Sequence, residues 1–372
     1  KHPSYALSVG NLAWTYSNLG DYDKALEMNL TCLALYETIF GKEHPDYARG
    51  LSNLASTYFD LGDYDEALEM NLTCLYLREK IFGKKHPDYA MSLNNISQTY
   101  VYLGKYDLAL ELNLQCLDLT EKIFGKDHPE YTRSLNNIAG VYSELGNYDK
   151  ALEMNLTCLY LREKIFGREH PSYTRSLNNI ACTYSDLGDY DKALEMTLEC
   201  LALKEKIFGK EHPEYARSLN NLAQTYSILG NYDKALEMNL KCLALKEKIF
   251  GKEHPDYALS LGNIAGTYSY LGDYDKALEM NLKCLALKEK IFGKEHPGYA
   301  TSLSSLASTY SDLGNYDKAL EMYLKCLALR EKILGKEHPD YATSLDNIAG
   351  TYSGLGNYDK ALEMNLKCLA LK

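Results

Sequence analysis

The sequence has little of what would mark a membrane protein, a nucleic-acid binder or a catalyst. No apolar run approaches the eighteen or so residues of a membrane span, and no secretory leader core is present, so no membrane association is expected. Lys and Arg number 40 against 51 Asp and Glu, a net charge of −11, which argues against nucleic acid as a partner because that affinity rests on cations neutralising phosphates. There is no Gly-rich phosphate loop, no nucleophile elbow and no HExxH. An enzyme is therefore not expected, nor is a cofactor or a metal. Ten cysteines are present, but nine recur at a spacing of 42 residues, too far apart for a local staple or metal knuckle. With 46% hydrophobic residues the chain can bury a large core, and a soluble protein of a reducing, cytoplasmic compartment is expected.

What is present is repetition. All nine histidines and all nine prolines occur as His-Pro, beginning at His2, His44, His86, His128, His170, His212, His254, His296 and His338. The spacing is always 42 residues, so the chain is nine copies of one unit, the last truncated. With the His as position 1, the unit reads roughly HPxYAxSLxNIAxTYSxLGDYDKALEMNLKCLALKEKIFGKE. A single array over residues 1–372 is expected.

The punctuation divides each unit into two helices. Pro at position 2 suits a first helical turn, and the Asp or Glu that usually follows favours the positive end of the dipole. Leu-Gly at 18–19 ends this helix A, and Asp or Asn at 20 caps helix B, which runs from about position 21 to the residue before the Gly at 40. Short connections make consecutive helices antiparallel neighbours. A helical wheel places Tyr 4, Leu 8, Ile or Leu 11, Ala 12, Tyr 15 and Leu 18 on one packing stripe of helix A.

The copies differ most at positions 6, 9, 13 and 17, which share the opposite face. Position 6 reads Leu7, Arg49, Met91, Arg133, Arg175, Arg217, Leu259, Thr301 and Thr343. Position 13 reads Trp14, Ser56, Gln98, Gly140, Cys182, Gln224, Gly266, Ser308 and Gly350. A uniform rod thus carries a non-uniform strip.

Leu12, Ala13, Tyr16, Gly20, Tyr22 and Ala25 resemble the small-and-aromatic signature of the tetratricopeptide repeat. The 42-residue period and the run REKIFGKKHPDYAMSLNNI at 78–96 are similar to the repeats of kinesin light chains and nephrocystin-type proteins. The resemblance implies an all-α, right-handed superhelical solenoid of nine antiparallel helix pairs, with helix A lining the concave side. The chain departs from those families in lacking a heptad coiled coil. It also carries Asn or Thr at position 28, where an aromatic residue is common.

RSLNNIA at 133–139 and 175–181, and RSLNNLA at 217–223, place Arg at position 6 and Asn at position 10 of helix A, an i, i+4 pair. The resemblance implies that both face the groove, with Asn holding a peptide's backbone or carboxylate and Arg from the next repeat supplying the cation. The pairs are Asn95 with Arg133, Asn137 with Arg175 and Asn179 with Arg217, and Asn221, Arg49 and Asn53 occupy equivalent places. An Arg fork matches a carboxylate, so repeats three to six are expected to bind an extended acidic peptide or an acidic C-terminus. Asp60, Glu144, Asp186 and Asp312 at position 17 lie roughly 16 Å away along the helix and give the groove an acidic edge, which admits a ligand of mixed charge. On the alternative reading, Asn 10 only joins neighbouring helices, the arginines are solvated or paired with position 17, and the array is a spacer or sensor arm of a larger signalling protein.

The cysteine ladder at position 31, from Cys32 to Cys368, takes the family's small-residue slot and reads as packing. Cys182, at position 13, is expected on the groove face. Asn29, Asn71, Asn113, Asn155, Asn239, Asn281 and Asn365 lie in the apolar stripe of helix B, so each is expected to be hydrogen-bonded, across repeats, as a register device. Lys1 falls within an inter-repeat linker and Lys372 before the end of a helix B, which suggests an excised array whose end faces stack on one another.

Overall fold

The computed structural model describes residues 2–336 and 338–371; Lys1 and Lys372, on which the reading of the chain ends turns, lie outside them. Among the described residues there are eighteen helices and no strands. Numbered in chain order, the odd ones are the A helices: α1 (Pro3–Asn18), α3 (Pro45–Leu61), α5 (Pro87–Tyr102), α7 (Pro129–Glu144), α9 (Pro171–Asp186), α11 (Pro213–Ile228), α13 (Pro255–Tyr270), α15 (Pro297–Asp312) and α17 (Pro339–Gly354). The even ones are the B helices: α2 (Tyr22–Phe40), α4 (Tyr64–Phe82), α6 (Tyr106–Phe124), α8 (Tyr148–Phe166), α10 (Tyr190–Phe208), α12 (Tyr232–Phe250), α14 (Tyr274–Phe292), α16 (Tyr316–Leu334) and α18 (Tyr358–Leu369). Contacts gather into two compact units, residues 1–189 and 190–372, so the boundary falls between the two helices of the fifth repeat. Within each unit every helix packs on its chain neighbours.

The boundaries have physical causes. At each A helix the preceding His is the N-cap, its Nδ1 accepting from the N–H two residues on, as in Asp46 to His44 at 3.2 Å and Asp256 to His254 at 3.1 Å. Where the previous B helix ends in Phe the ring also stacks on it, as His254 does on Phe250 at 4.3 Å between centroids. The B helices stop at a glycine such as Gly167, whose φ of 82° and ψ of 165° belong to a region that side chains hardly enter.

Capping by histidine has a pH consequence at His296, where burial, then Lys288, hold the ring's pKa below its ordinary value. Its Nδ1 accepts from Gly298 N–H at 3.0 Å only when unprotonated. A pKa lowered on folding means the unfolded chain binds the proton more readily, so this contribution is present above the ordinary His range and lost as pH falls through it. His296→Asn keeps an acceptor without the titration. The stability of this variant, measured by urea unfolding from pH 7.5 to 5, should fall less than that of the parent.

Two stripe positions behave otherwise than the wheel implies. Leu 18 is largely exposed, as in Leu145 at 39%, and Tyr 15 is only half-buried. Positions 5, 7 and 14 are buried instead, as in Thr132, Ser134 and Val141. An A helix inside a unit, such as α7, packs against the B helices on both sides, α6 and α8, so its buried arc is wider than one stripe, while Leu 18 has reached the C-cap.

Two polar ladders join repeats in register, the first at four of its seven asparagines: Asn29, Asn155, Asn239 and Asn281 bond across repeats. Asn71 and Asn113 make no such bond among the described residues, Val141 standing where Asn113 would meet a threonine, and Asn365 is exposed. Asn155 Nδ2 donates to Thr183 Oγ1 at 3.1 Å, Asn239 to Thr267 at 3.0 Å and Asn281 to Thr309 at 2.9 Å, each pair 28 residues apart. The second ladder is a row of buried cations at position 35. Arg78 donates to Asp88 C=O at 3.0 Å and Ser92 Oγ at 2.9 Å, and Arg162 to Ser172 C=O at 3.1 Å and Ser176 Oγ at 2.8 Å. In the second unit Arg330 repeats this on Asp340 C=O and Ser344 Oγ. The next repeat's first turn is thus gripped through its backbone. Within each unit position-31 thiols donate to backbone carbonyls of the A helix of their own repeat, as Cys242 does to Ala216 C=O at 3.2 Å and Cys74 to Ala48 C=O at 3.2 Å.

Candidate groove on the A helices

Positions 6, 9, 10, 13 and 17 of consecutive A helices line open clefts in both units. In the first, a cleft of about 310 Å³ is walled by Asn94 and Gln98 of α5 and by Arg133, Asn137, Gly140 and Glu144 of α7. Another of about 270 Å³ lies among Gly10, Trp14, Asn53, Ser56 and Asp60. In the second, a cleft of about 600 Å³ runs between Asn220, Gln224 and Ile228 of α11 and Leu259, Gly262 and Gly266 of α13. Gly266 has nothing within 4 Å of where a Cβ would stand, so its missing side chain widens the cleft. At its edge Tyr270 stacks on Tyr232 at 5.1 Å and 5°. Ile228, Leu259 and Tyr270 add apolar surface to this cleft among Asn220, Gln224 and Asn263, and the sequence carries them at positions 17, 6 and 17.

The arginines of position 6 are exposed, and most are paired within their own helix. Arg49 meets Asp46 at 2.8 Å and donates to Tyr36 Oη at 3.2 Å. Arg133 meets Glu130 at 3.0 Å, and Arg217 pairs with Glu214. These acids stand at position 3 and not at position 17, which corrects the alternative pairing with Asp60, Glu144, Asp186 or Asp312. Arg175 differs because Ser172 replaces the acid, and among the described residues it makes no ion pair. Its neighbour Arg162 is buried, and desolvation, with Arg175 adding to it, lowers the Arg162 pKa. Desolvation also raises the pKa of Asp60, Asp186 and Asp312 on the acidic edge.

The asparagines of position 10 reach back to position 9 of the preceding repeat. Asn95 Nδ2 donates to Ser52 Oγ at 3.4 Å, Asn179 to Asn136 Oδ1 at 2.8 Å, and Asn137 to Asn94 Oδ1. Each such bond uses one of the two N–H groups of an amide, leaving the other and the oxygen. Neither Asn95 with Arg133 nor Asn137 with Arg175 forms a direct bond. Asn53 faces Gly10, which has no side chain to receive it, and is exposed. Asn221 is half-buried on α11.

Cys182 is the exposed cysteine, and the other nine are buried. Desolvation of the sulfur, then the Asp186 carboxylate, push its thiol above the ordinary range, so its reaction needs alkaline pH. A maleimide should add once to the folded chain, increasingly fast as pH rises, and not at all to Cys182→Ser, as read by intact mass.

Among the described residues no helix is long and apolar enough to cross a membrane, and no cluster of three metal-ligating side chains occurs. The tetratricopeptide repeat pattern matches eight overlapping stretches that tile residues 4–372. A solved structure of a Podosopora anserina putative kinesin light chain with nearly identical repeats is 26% identical, covering 55% of this chain and 97% of that one, with TM-score 0.50. The apo quorum sensor NprR of B. thuringiensis covers 99% of both chains at 14% identity and TM-score 0.63. A Rap protein complexed with Competence and Sporulation Factor covers 99% of this chain and 98% of its own at 14% and 0.60. The last two show likeness of fold alone. Among curated proteins nothing matches the chain.

Proposed function

Because the chain belongs to the tetratricopeptide repeat family, whose repeats mediate protein–protein interaction, we propose that it is a cytoplasmic, non-catalytic scaffold that binds an extended acidic peptide on its A helices. Arg175 carries this reading, as an exposed cation without an internal carboxylate. Arg133 and Arg49 extend the row in the first unit, and Arg217 stands equivalently in the second. A ligand carboxylate takes the place that Glu130 and Glu214 take in the other repeats, and the free halves of the Asn95 and Asn137 amides hold its backbone. Asn53, Asn179 and Asn221 are the further amides of the same row. A free C-terminal carboxylate suits the Arg fork equally.

The Asn-to-Asn bonds between repeats favour the second reading, a spacer in which these amides serve only as mortar. Selection from a random-peptide display library separates the two. Acidic peptides should enrich on the protein and not on an Arg133→Ala, Arg175→Ala, Arg217→Ala variant of equal helicity. Enrichment on neither supports the spacer.

A further inference from the structure

Position 35 of the B helices holds a long side chain in seven of the eight described copies: Tyr36, Arg78, Arg162, Lys204, Lys246, Lys288 and Arg330. In the third repeat it is Thr120, buried at 3% exposure. A cavity of about 270 Å³ lies there between α5, α6 and α7, walled by Met91 and Phe124 and by Thr120, Glu130, Arg133 and Ser134. The acceptors that Arg78 and Arg162 use in their own interfaces have counterparts here, the Glu130 carbonyl and Ser134 Oγ.

The interface between α10 and α11 is a template for what fits. There Lys204, buried to 6% of its side chain, meets the Glu214 carboxylate at 3.0 Å while Arg217 pairs with the same acid. Desolvation raises the Glu214 pKa, but the two cations outweigh it and hold it low. Glu130 with Arg133 at 3.0 Å repeats the acid and the outer cation, with Thr120 in the place of the inner one. An inner and an outer cation are therefore compatible on one position-3 acid.

We propose that the Thr120 cavity binds a basic side chain of the protein's partner, an arginine best, in the position that Arg78 and Lys204 occupy from within the chain. Its stem lies against Met91 and Phe124, and its head reaches Glu130 and Ser134. Arginine is favoured over lysine because a planar fork serves carbonyl, hydroxyl and carboxylate together. The cavity opens beside exposed Met91 and Arg133, at the groove margin. The inference deepens the groove reading by giving the acidic peptide one basic anchor, and it rests on that reading only for how the side chain is delivered.

The test needs no peptide. With 13C-methyl methionine labelling, the Met91 signal, assigned through Met91→Leu, is followed while n-butylguanidinium is titrated. A saturable shift is expected, about tenfold weaker with the isosteric n-butylurea, because a hydrogen bond to a charged group is worth about 1.5–3 kcal/mol. Thr120→Arg, which supplies the cation internally, and Thr120→Met, which plugs the cavity without charge, should each abolish it. Absence of saturation in the parent, equal binding of the urea, or an unchanged response in the folded plugged variant overturns the proposal. A failed peptide selection leaves this titration intact, so the two readings fail separately.

Discussion

Replacing Ile348 by alanine lowers the stability of the second unit by about 2–5 kcal/mol, the range for emptying a fully buried aliphatic site. Ile348 is 0% exposed and packs with Ala307, Ala319 and Tyr323, which come from α15 and α16 of the preceding repeat. Two of those partners are alanines, whose methyls are fixed to the backbone, so any closing of the gap falls to the half-buried Leu320, Met322, Leu327 and Met364 around the cluster. Each repeat contacts mainly its neighbours, and the loss therefore weakens one interface in a nearest-neighbour stack. Urea unfolding followed by circular dichroism should show an early phase confined to the last repeats. A single unshifted transition would mean that the interface carries little of the stability.

Arg330→Ala costs about 3 kcal/mol or more, because it removes hydrogen bonds from a charged group worth about 1.5–3 kcal/mol each and leaves their acceptors behind. Arg330 donates to Asp340 C=O at 2.9 Å and to Ser344 Oγ at 2.8 Å, and its side chain is 7% exposed. The Asp340 carboxylate lies 3.7 Å away and contributes less. Arg330→Lys recovers part of the loss, as Lys246 does natively with one bond to Asp256 C=O at 3.2 Å. Arg330→Met restores volume but not the bonds, so the order parent, Lys, Met, Ala separates bonding from packing. Equal melting temperatures for Met and Lys would show that the cation row acts as filler.

The helices were legible because their ends are written in local chemistry. His-Pro, Leu-Gly and the glycine of position 40 each state a backbone conformation, and a period of 42 makes every statement nine times. The Asn ladder was legible as a need, since Asn155 in an apolar stripe must find a partner, but not as Thr183, which lies 28 residues on. The histidine caps were missed. A ring nitrogen accepting from an N–H two residues away leaves no compositional trace beyond the His itself.

The site was legible only as a face. The wheel brings Arg133 and Asn137 together, but it cannot say that Asn137 turns to Asn94 of the preceding repeat or that Glu130 reaches Arg133 first. Nor does it measure how many neighbours cover a helix, which is why Thr132 and Ser134 are buried and Leu145 is not. Thr120 is one deviation from a lysine consensus, passed over at the level of sequence. Its meaning depends on where Arg78 and Lys204 send their heads, which only coordinates supply.

The central claim is that the position-6 arginines choose the ligand by charge. The most direct measurement reverses them: the same peptide library selected on the parent and on an Arg133→Glu, Arg175→Glu, Arg217→Glu variant matched in helicity and melting temperature. The account predicts that the enriched peptides change from acidic to basic, since exposed charge at these places does not carry the fold. Enrichment of the same peptides on both proteins would contradict it.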